Sequence, residues 1–157
     1  VPSKRQPRAQ RSDSRVQELL DAAAHLFAQR GYAATSIRNI ALAVDMLAGS
    51  VYHHFASKEE LLLAVYSAGV SQLEKAATAA LATETKPWSR LEVLCRSHLE
   101  VVLKDSDYAR VLIRVIPNDI PAVSVELRAL RINYENRFRE AVADLPLPPG
   151  TDRRELR

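Results

Sequence analysis

Apolar residues recur at helical spacing along nearly the whole chain. Val16, Leu19, Leu20, Ala23 and Phe27 follow i, i+3, i+4 intervals, the stripe of a helix that buries one face. Ser14 with Gln17 suits a capping box at its start, and Gly31 suits the residue just past its last turn. A short second helix opens at Thr35, a good N-cap, and carries Ile37, Ile40, Ala41 and Val44 inward. Asp45-Met46-Leu47 breaks the pattern, and a third short helix then runs to Phe55, burying Met46, Val51 and Phe55.

Ser57 and Glu60 form a second capping box and launch a long helix to about Ala82, with Leu62, Val65, Tyr66, Gly69 and Leu73 on one face. After a connector at residues 83–87, Trp88, Leu91, Leu94, Cys95, His98 and Val102 define the next stripe. Tyr108, Val111, Leu112 and Val115 mark a further helix, stopped by Pro117. Pro121 opens a longer one with Leu127, Leu130, Tyr134, Phe138 and Val142 inward, ended by the proline-rich residues 145–150. Residues 152–157 read as the first turn of one more helix. No alternating strand pattern occurs and glycine totals only four, so the chain reads as all-α, with seven helices and a stub.

Charge changes this picture, because it is unevenly placed. The net charge is +3, but residues up to Lys58 hold eight basic and four acidic side chains, whereas the remainder holds fourteen and fifteen. A basic first third on a neutral body is the footprint of a small nucleic-acid-binding unit, although a solubilising tail explains residues 1–11 equally well. A single cysteine, Cys95, forms no bridge within the chain and favours a reducing, cytoplasmic setting. No apolar run reaches the eighteen residues that a membrane span needs, so no membrane partner is expected.

The stretch GSVYHHFASKEEL at residues 49–61 concentrates the candidate chemistry. Two short helices around a three-residue break match the plan of a helix-turn-helix reader. In that plan Ala48, Gly49, Ser50, Tyr52 and His53 lie outward, where small residues let the backbone approach base edges and Tyr and His donate to phosphates. Lys58 adds a cation beside them. His53 and His54 diverge by about 100° on a helix, which disfavours shared metal ligation. No carboxylate pair suited to acid–base work and no phosphate loop appears, so neither a catalytic residue, a metal site nor a cofactor is expected.

These segments carry a family resemblance. Thr35-Ser-Ile-Arg-Asn-Ile-Ala41, Gly49-Ser-Val-Tyr-His-His-Phe55 and Ser57-Lys-Glu-Glu-Leu61, preceded by Leu-Phe-Ala-Gln-Arg-Gly-Tyr32, resemble the DNA-binding region of the TetR family of bacterial transcriptional regulators. The resemblance spans roughly residues 14–63 and implies a basic arm (1–13), a helix-turn-helix domain (14–57) and a helical effector-binding and dimerisation domain (58–157). It further implies a homodimer that binds a near-palindromic double-stranded operator and releases it on binding a small molecule. Thr35, Tyr52, His54 and Lys58 match phosphate-contact positions; Ser36, Ala48, Gly49, Ser50 and His53 match positions near base edges. Two departures stand out: Asp45 replaces the usual turn glycine, and Leu47 replaces the usual Ser or Thr cap, forgoing about 1 kcal/mol of helix-end stability. Family members usually continue for about two more helices, so the dimer-forming end is expected to be missing.

For the body, Trp88, Cys95, His98, Tyr108, Leu112, Tyr134 and Phe138 are candidates to line a ligand cavity between helices, although His98 and the aromatics serve equally well as core. Arg110 and Arg114, four apart on one face, are candidates for an anionic group. A repressor released by a largely apolar ligand is the first reading. Its rivals are a helical DNA-binding protein without an effector, and a helical enzyme or metal-binding protein using His53, His54 and His98.

Overall fold

The computed structural model describes residues 8–148, with side chains from Asp13 onward. Within them lie seven α-helices: α1 Arg8–Arg30, α2 Ile37–Ala43, α3 Ala48–Val51, α4 Lys58–Leu81, α5 Pro87–Val102, α6 Asp107–Arg114 and α7 Ser124–Ala143. Two 3-10 turns, Pro117–Asp119 and Pro121–Val123, join α6 to α7. The described residues contain no strand. The stub expected at residues 152–157 lies outside them.

Helix α4 is the spine, packing against α1 at one end and against α5, α6 and α7 along its length. Its predicted inward residues Leu62, Val65, Tyr66, Gly69 and Leu73 are all buried. The long helix begins as its cap demands: Ser57 Oγ accepts from the Glu60 amide at 3.1 Å, while the Glu60 carboxylate accepts from the Ala56 amide at 2.6 Å. At Gly69 the crossing with α6 is close, since a Cβ there would stand 3.0 Å from Leu112 Cγ.

Helix α1 starts at Arg8, so Ser14 and Gln17 are not its cap. They lie inside the helix, where Ser14 reaches Glu18 and Gln17 reaches Asp21 one turn on, and the helix enters the segment expected as an arm. Its far end conforms, with Gly31 at φ +83° donating to the Phe27 carbonyl at 3.0 Å. Helix α2 is capped by Ser36 rather than Thr35: Ser36 Oγ accepts from the Asn39 amide, and Asn39 Oδ1 accepts from the Ser36 amide. Regular α-helix in α3 ends at Val51; turns continue the coil to Phe55, whose amide donates to the Val51 carbonyl at 3.0 Å. Helix α7 begins at Ser124, with Pro121 in the preceding 3-10 turn instead of at its start.

The predicted stripe on α5 is rotated. Leu94 and Ser97 are buried, whereas Trp88 is 56% exposed and Cys95 is exposed. Ser97 escapes an apolar pattern because its hydroxyl donates to the Leu94 carbonyl of its own helix at 3.0 Å, which satisfies it in the core.

Candidate nucleic-acid interface and body cavity

Helices α2 and α3 pack on each other through a turn whose Asp45 takes the left-handed conformation at φ 52°. Asp pays less than most residues there because its short polar side chain bonds locally. Ile37, Ile40, Ala41, Val51 and Phe55 close the inner side; Met46 is half-buried beneath it. The opposite side presents Ser36, Gly49, Tyr52 and His53 as exposed residues, with Ala48, Ser50 and His54 half-buried among them. A Cβ at Gly49 would meet nothing within 4 Å, so this part of the surface is open. His53 outward and His54 half-covered is the divergence that helical spacing requires. Among the described residues no group of three His, Cys, Asp or Glu side chains is placed to hold a metal.

Two of the expected phosphate contacts are employed elsewhere. Thr35 is 1% exposed, and its hydroxyl donates to the Gly31 carbonyl at 2.9 Å with the Leu26 carbonyl 3.3 Å away. It ties the α1–α2 junction to the end of α1 instead of facing outward. Lys58 donates from Nζ to the carbonyls of Tyr32 (3.1 Å) and Thr35 (3.0 Å), and lies 4.1 Å above the Tyr32 ring centroid. Only one of its three ammonium protons is left over. The Tyr32 hydroxyl in turn donates to Glu59 Oε1 at 2.5 Å. Burial, with the adjoining carboxylate, pushes the Tyr32 phenol well above its ordinary value, and the phenol's hydrogen bond holds the Glu59 carboxyl below its own. Tyr32, Lys58 and Glu59 thus clamp the start of α4 to the α1–α2 junction.

Sequence reasoning overlooked Arg38. It is exposed in the first turn of α2, beside Ser36, and has no ion-pair partner among the described residues. An arginine three positions past the predicted helix start at Thr35 was the available signal.

The body holds a cavity of about 480 Å³ between α4, α5, α6 and α7. Tyr66, Val70 and Leu73 line it from α4, His98 and Val102 from α5, Leu112 and Ile113 from α6, and Arg131, Tyr134, Glu135 and Phe138 from α7. His98 Nδ1 lies 3.1 Å from the Tyr134 hydroxyl, their rings stack with centroids 5.7 Å apart, and Phe138 meets both edge-on. Burial pulls the His98 imidazole below its ordinary value. Burial, helped by the Glu74 carboxylate, pushes the Tyr134 phenol up to about 12. Both are therefore neutral near pH 7, and the wall is largely apolar with one uncharged polar pair. Arg131 pairs with Glu135 at 2.9 Å.

Of the expected ligand-lining residues, His98, Leu112, Tyr134 and Phe138 come together here; Trp88, Cys95 and Tyr108 do not. Trp88 and Cys95 point to the outside of α5 because of the rotation described above. Tyr108 faces α1, donating to Asp21 Oδ1 at 2.7 Å and accepting from Gln17 at 3.2 Å. Arg110 and Arg114 form no shared anion site either: Arg110 pairs with Asp105 and Asp107, and Arg114 donates to the Ala28 carbonyl at the end of α1. His25 Nδ1, 3.0 Å from Asp107, completes the seam between α1 and α6.

A helix-turn-helix surface joined to a helical body defines a class of DNA-binding regulator, and comparison with known proteins agrees. The family described as "Bacterial regulatory proteins, tetR family" matches residues 19–65. The HTH-type transcriptional repressor KstR2 of Mycolicibacterium smegmatis is 32% identical over 150 residues, covering 88% of this chain and 70% of that protein. KstR2 of Rhodococcus jostii is 60% identical over 45 residues, 29% of this chain and 22% of that protein. The crystal structure of AibR in complex with isovaleryl coenzyme A and operator DNA has a TM-score of 0.74 at 25% identity, over 88% of this chain and 77% of that one. The chain belongs to the TetR family and is a DNA-binding transcriptional regulator.

Proposed function

We propose that the chain is a repressor that leaves its operator when a small, largely apolar molecule fills the body cavity. In this reading Ala48, Gly49, Ser50 and His53 face base edges. Arg38, Tyr52 and His54 fix the register on phosphates. Two protomers place their α3 helices in successive major grooves, with half-sites roughly 34 Å or a multiple apart. The repressor KstR2 and the ligand- and operator-bound AibR structure support both halves of the reading. No described helix is long and apolar enough to cross a membrane, and a cytoplasmic setting accords with DNA binding.

The observation that carries the proposal is that the cavity walls and the anchors of the DNA-binding unit are the same helices. Helix α4 begins at the Lys58 clamp and forms the cavity wall at Tyr66, Val70 and Leu73. Helix α6 lines the cavity with Leu112 and Ile113, while its Asp107, Tyr108 and Arg114 grip α1. A ligand that displaces Leu112 also loads the close α4–α6 crossing at Gly69. It shifts the DNA-binding equilibrium only by its differential affinity for the two arrangements.

Fluorescence anisotropy of a labelled operator, recovered by selection from random duplexes, tests this. Apolar carboxylic acids, acyl-coenzyme A thioesters and ketosteroids are titrated into the complex. One class is expected to release DNA from the natural chain but not from Leu112→Trp, whose indole occupies the cavity. A chain that binds the operator while no compound shifts its melting temperature or its affinity contradicts the proposal.

A further inference from the structure

The turn between α2 and α3 carries a feature that neither capping nor packing explains. Leu47 is 80% exposed, the highest value among the described large apolar side chains. Its backbone is extended at φ −74° and ψ 142°, its carbonyl accepts from the Ser50 amide at 2.9 Å, and its side chain makes no cap hydrogen bond. A Ser, Thr, Asp or Asn here would have capped α3 and been solvated at no cost. Its neighbour Met46 is half-buried under the helix pair, so the core already has its apolar contribution from this turn.

What lies next to Leu47 in the chain says what covers it. Ala48, Gly49 and Ser50 follow directly, and they form the open, small-residue part of the surface. With α3 in the major groove, as the proposed function places it, Leu47 enters the groove ahead of them. The base edges there are donors and acceptors with one apolar exception, the C5-methyl of thymine. A leucine cannot hydrogen-bond any edge, but it can bury that methyl.

We infer that Leu47 is a sequence-reading residue, packing its isobutyl group on a thymine methyl in the major groove of each half-site. This rests on the operator-binding reading and makes the regulator's preference at one position per half-site a preference for thymine over cytosine and uracil. The methyl contact is worth about fourfold in affinity per half-site, the equivalent of burying one methylene-sized group.

Uracil substitution isolates the contact, because deoxyuridine lacks only the methyl. The selected operator is prepared with each thymine replaced in turn, and affinities are measured for the natural chain and for Leu47→Ser, a variant that restores a cap. The natural chain is expected to lose about fourfold at one thymine per half-site. Leu47→Ser, melting no lower, is expected to be indifferent there and to select operators without that thymine. Specific binding that tolerates uracil at every position, or equal losses in both proteins, overturns the inference and leaves operator recognition standing. Absence of any sequence preference in the natural chain overturns both.

Discussion

Replacing Lys58 by methionine separates a structural lysine from a DNA-contacting one. Its ammonium donates to the Tyr32 and Thr35 carbonyls at 3.1 and 3.0 Å and lies 4.1 Å over the Tyr32 ring. Hydrogen bonds to a charged group are worth about 1.5–3 kcal/mol each, and a cation over a partly exposed ring about 0.5–1 kcal/mol. Lys58 is only half-buried, so water takes over much of the bonding to both carbonyls once the ammonium is gone. Methionine also keeps most of the apolar stem. The net loss is about 2 kcal/mol, which for a chain of this size lowers the melting temperature by about 4–8 °C. Circular dichroism reads that loss. Binding to the selected operator is then followed against salt, well below the melting point. The slope of log affinity against log salt should match that of the natural chain, since the clamp, not a phosphate, holds the ammonium. An unchanged melting temperature together with a slope shallower by about 0.9, the signature of one lost phosphate contact, would refute the reasoning.

Three further outcomes follow from the same structure. Thr35→Val deletes the hydroxyl that serves the Gly31 and Leu26 carbonyls, and should cost about 1–2 kcal/mol in denaturant titration while leaving the salt slope intact; a lost phosphate contact without destabilisation would show the opposite. Gly69→Ala drives a methyl to 3.0 Å from Leu112 Cγ, so about 1–3 kcal/mol of overpacking and an altered effector affinity are expected, whereas unchanged calorimetric binding would disconnect this crossing from the cavity. Burial holds the His98 imidazole low, so on acidification the unfolded chain takes up this proton before the folded one. Stability is therefore complete above about pH 6.5 and falls as pH drops below it, and His98→Phe should lessen that fall; equal acid sensitivity in the two proteins would remove His98 as a contributor.

How much of this was legible in the sequence varies with the range of the interaction. Local signals read well: Ser57 with Glu60 located the start of α4, Gly31 the end of α1, and Asp45 the break between α2 and α3. The helix-turn-helix was readable because its spacing and its residue types agree over three successive helices. Less was legible where the deciding partner is distant in the chain. Lys58 reads as a free cation until Tyr32 and Thr35 are brought beneath it, and Tyr108 reads as a pocket aromatic until Asp21 meets its hydroxyl. Helix α5 misled for another reason. Trp88 and Cys95 complete a plausible apolar stripe, while buried Ser97 marks the true inner face and is polar. The cavity was half-legible: His98, Leu112, Tyr134 and Phe138 were identified, but the α4 wall at Val70 was not, nor the Arg131–Glu135 pair.

The central claim is sequence-specific DNA binding through the open face of α3. Selection from random duplexes by the purified chain, run beside Ser50→Ala and His53→Ala variants at two salt concentrations, tests it most directly. The account predicts a near-palindromic motif for the natural chain, with affinity falling steeply with salt, and a motif relaxed at defined positions in the variants. The same motif recovered at equal strength by all three proteins, or no motif from any of them, would contradict it.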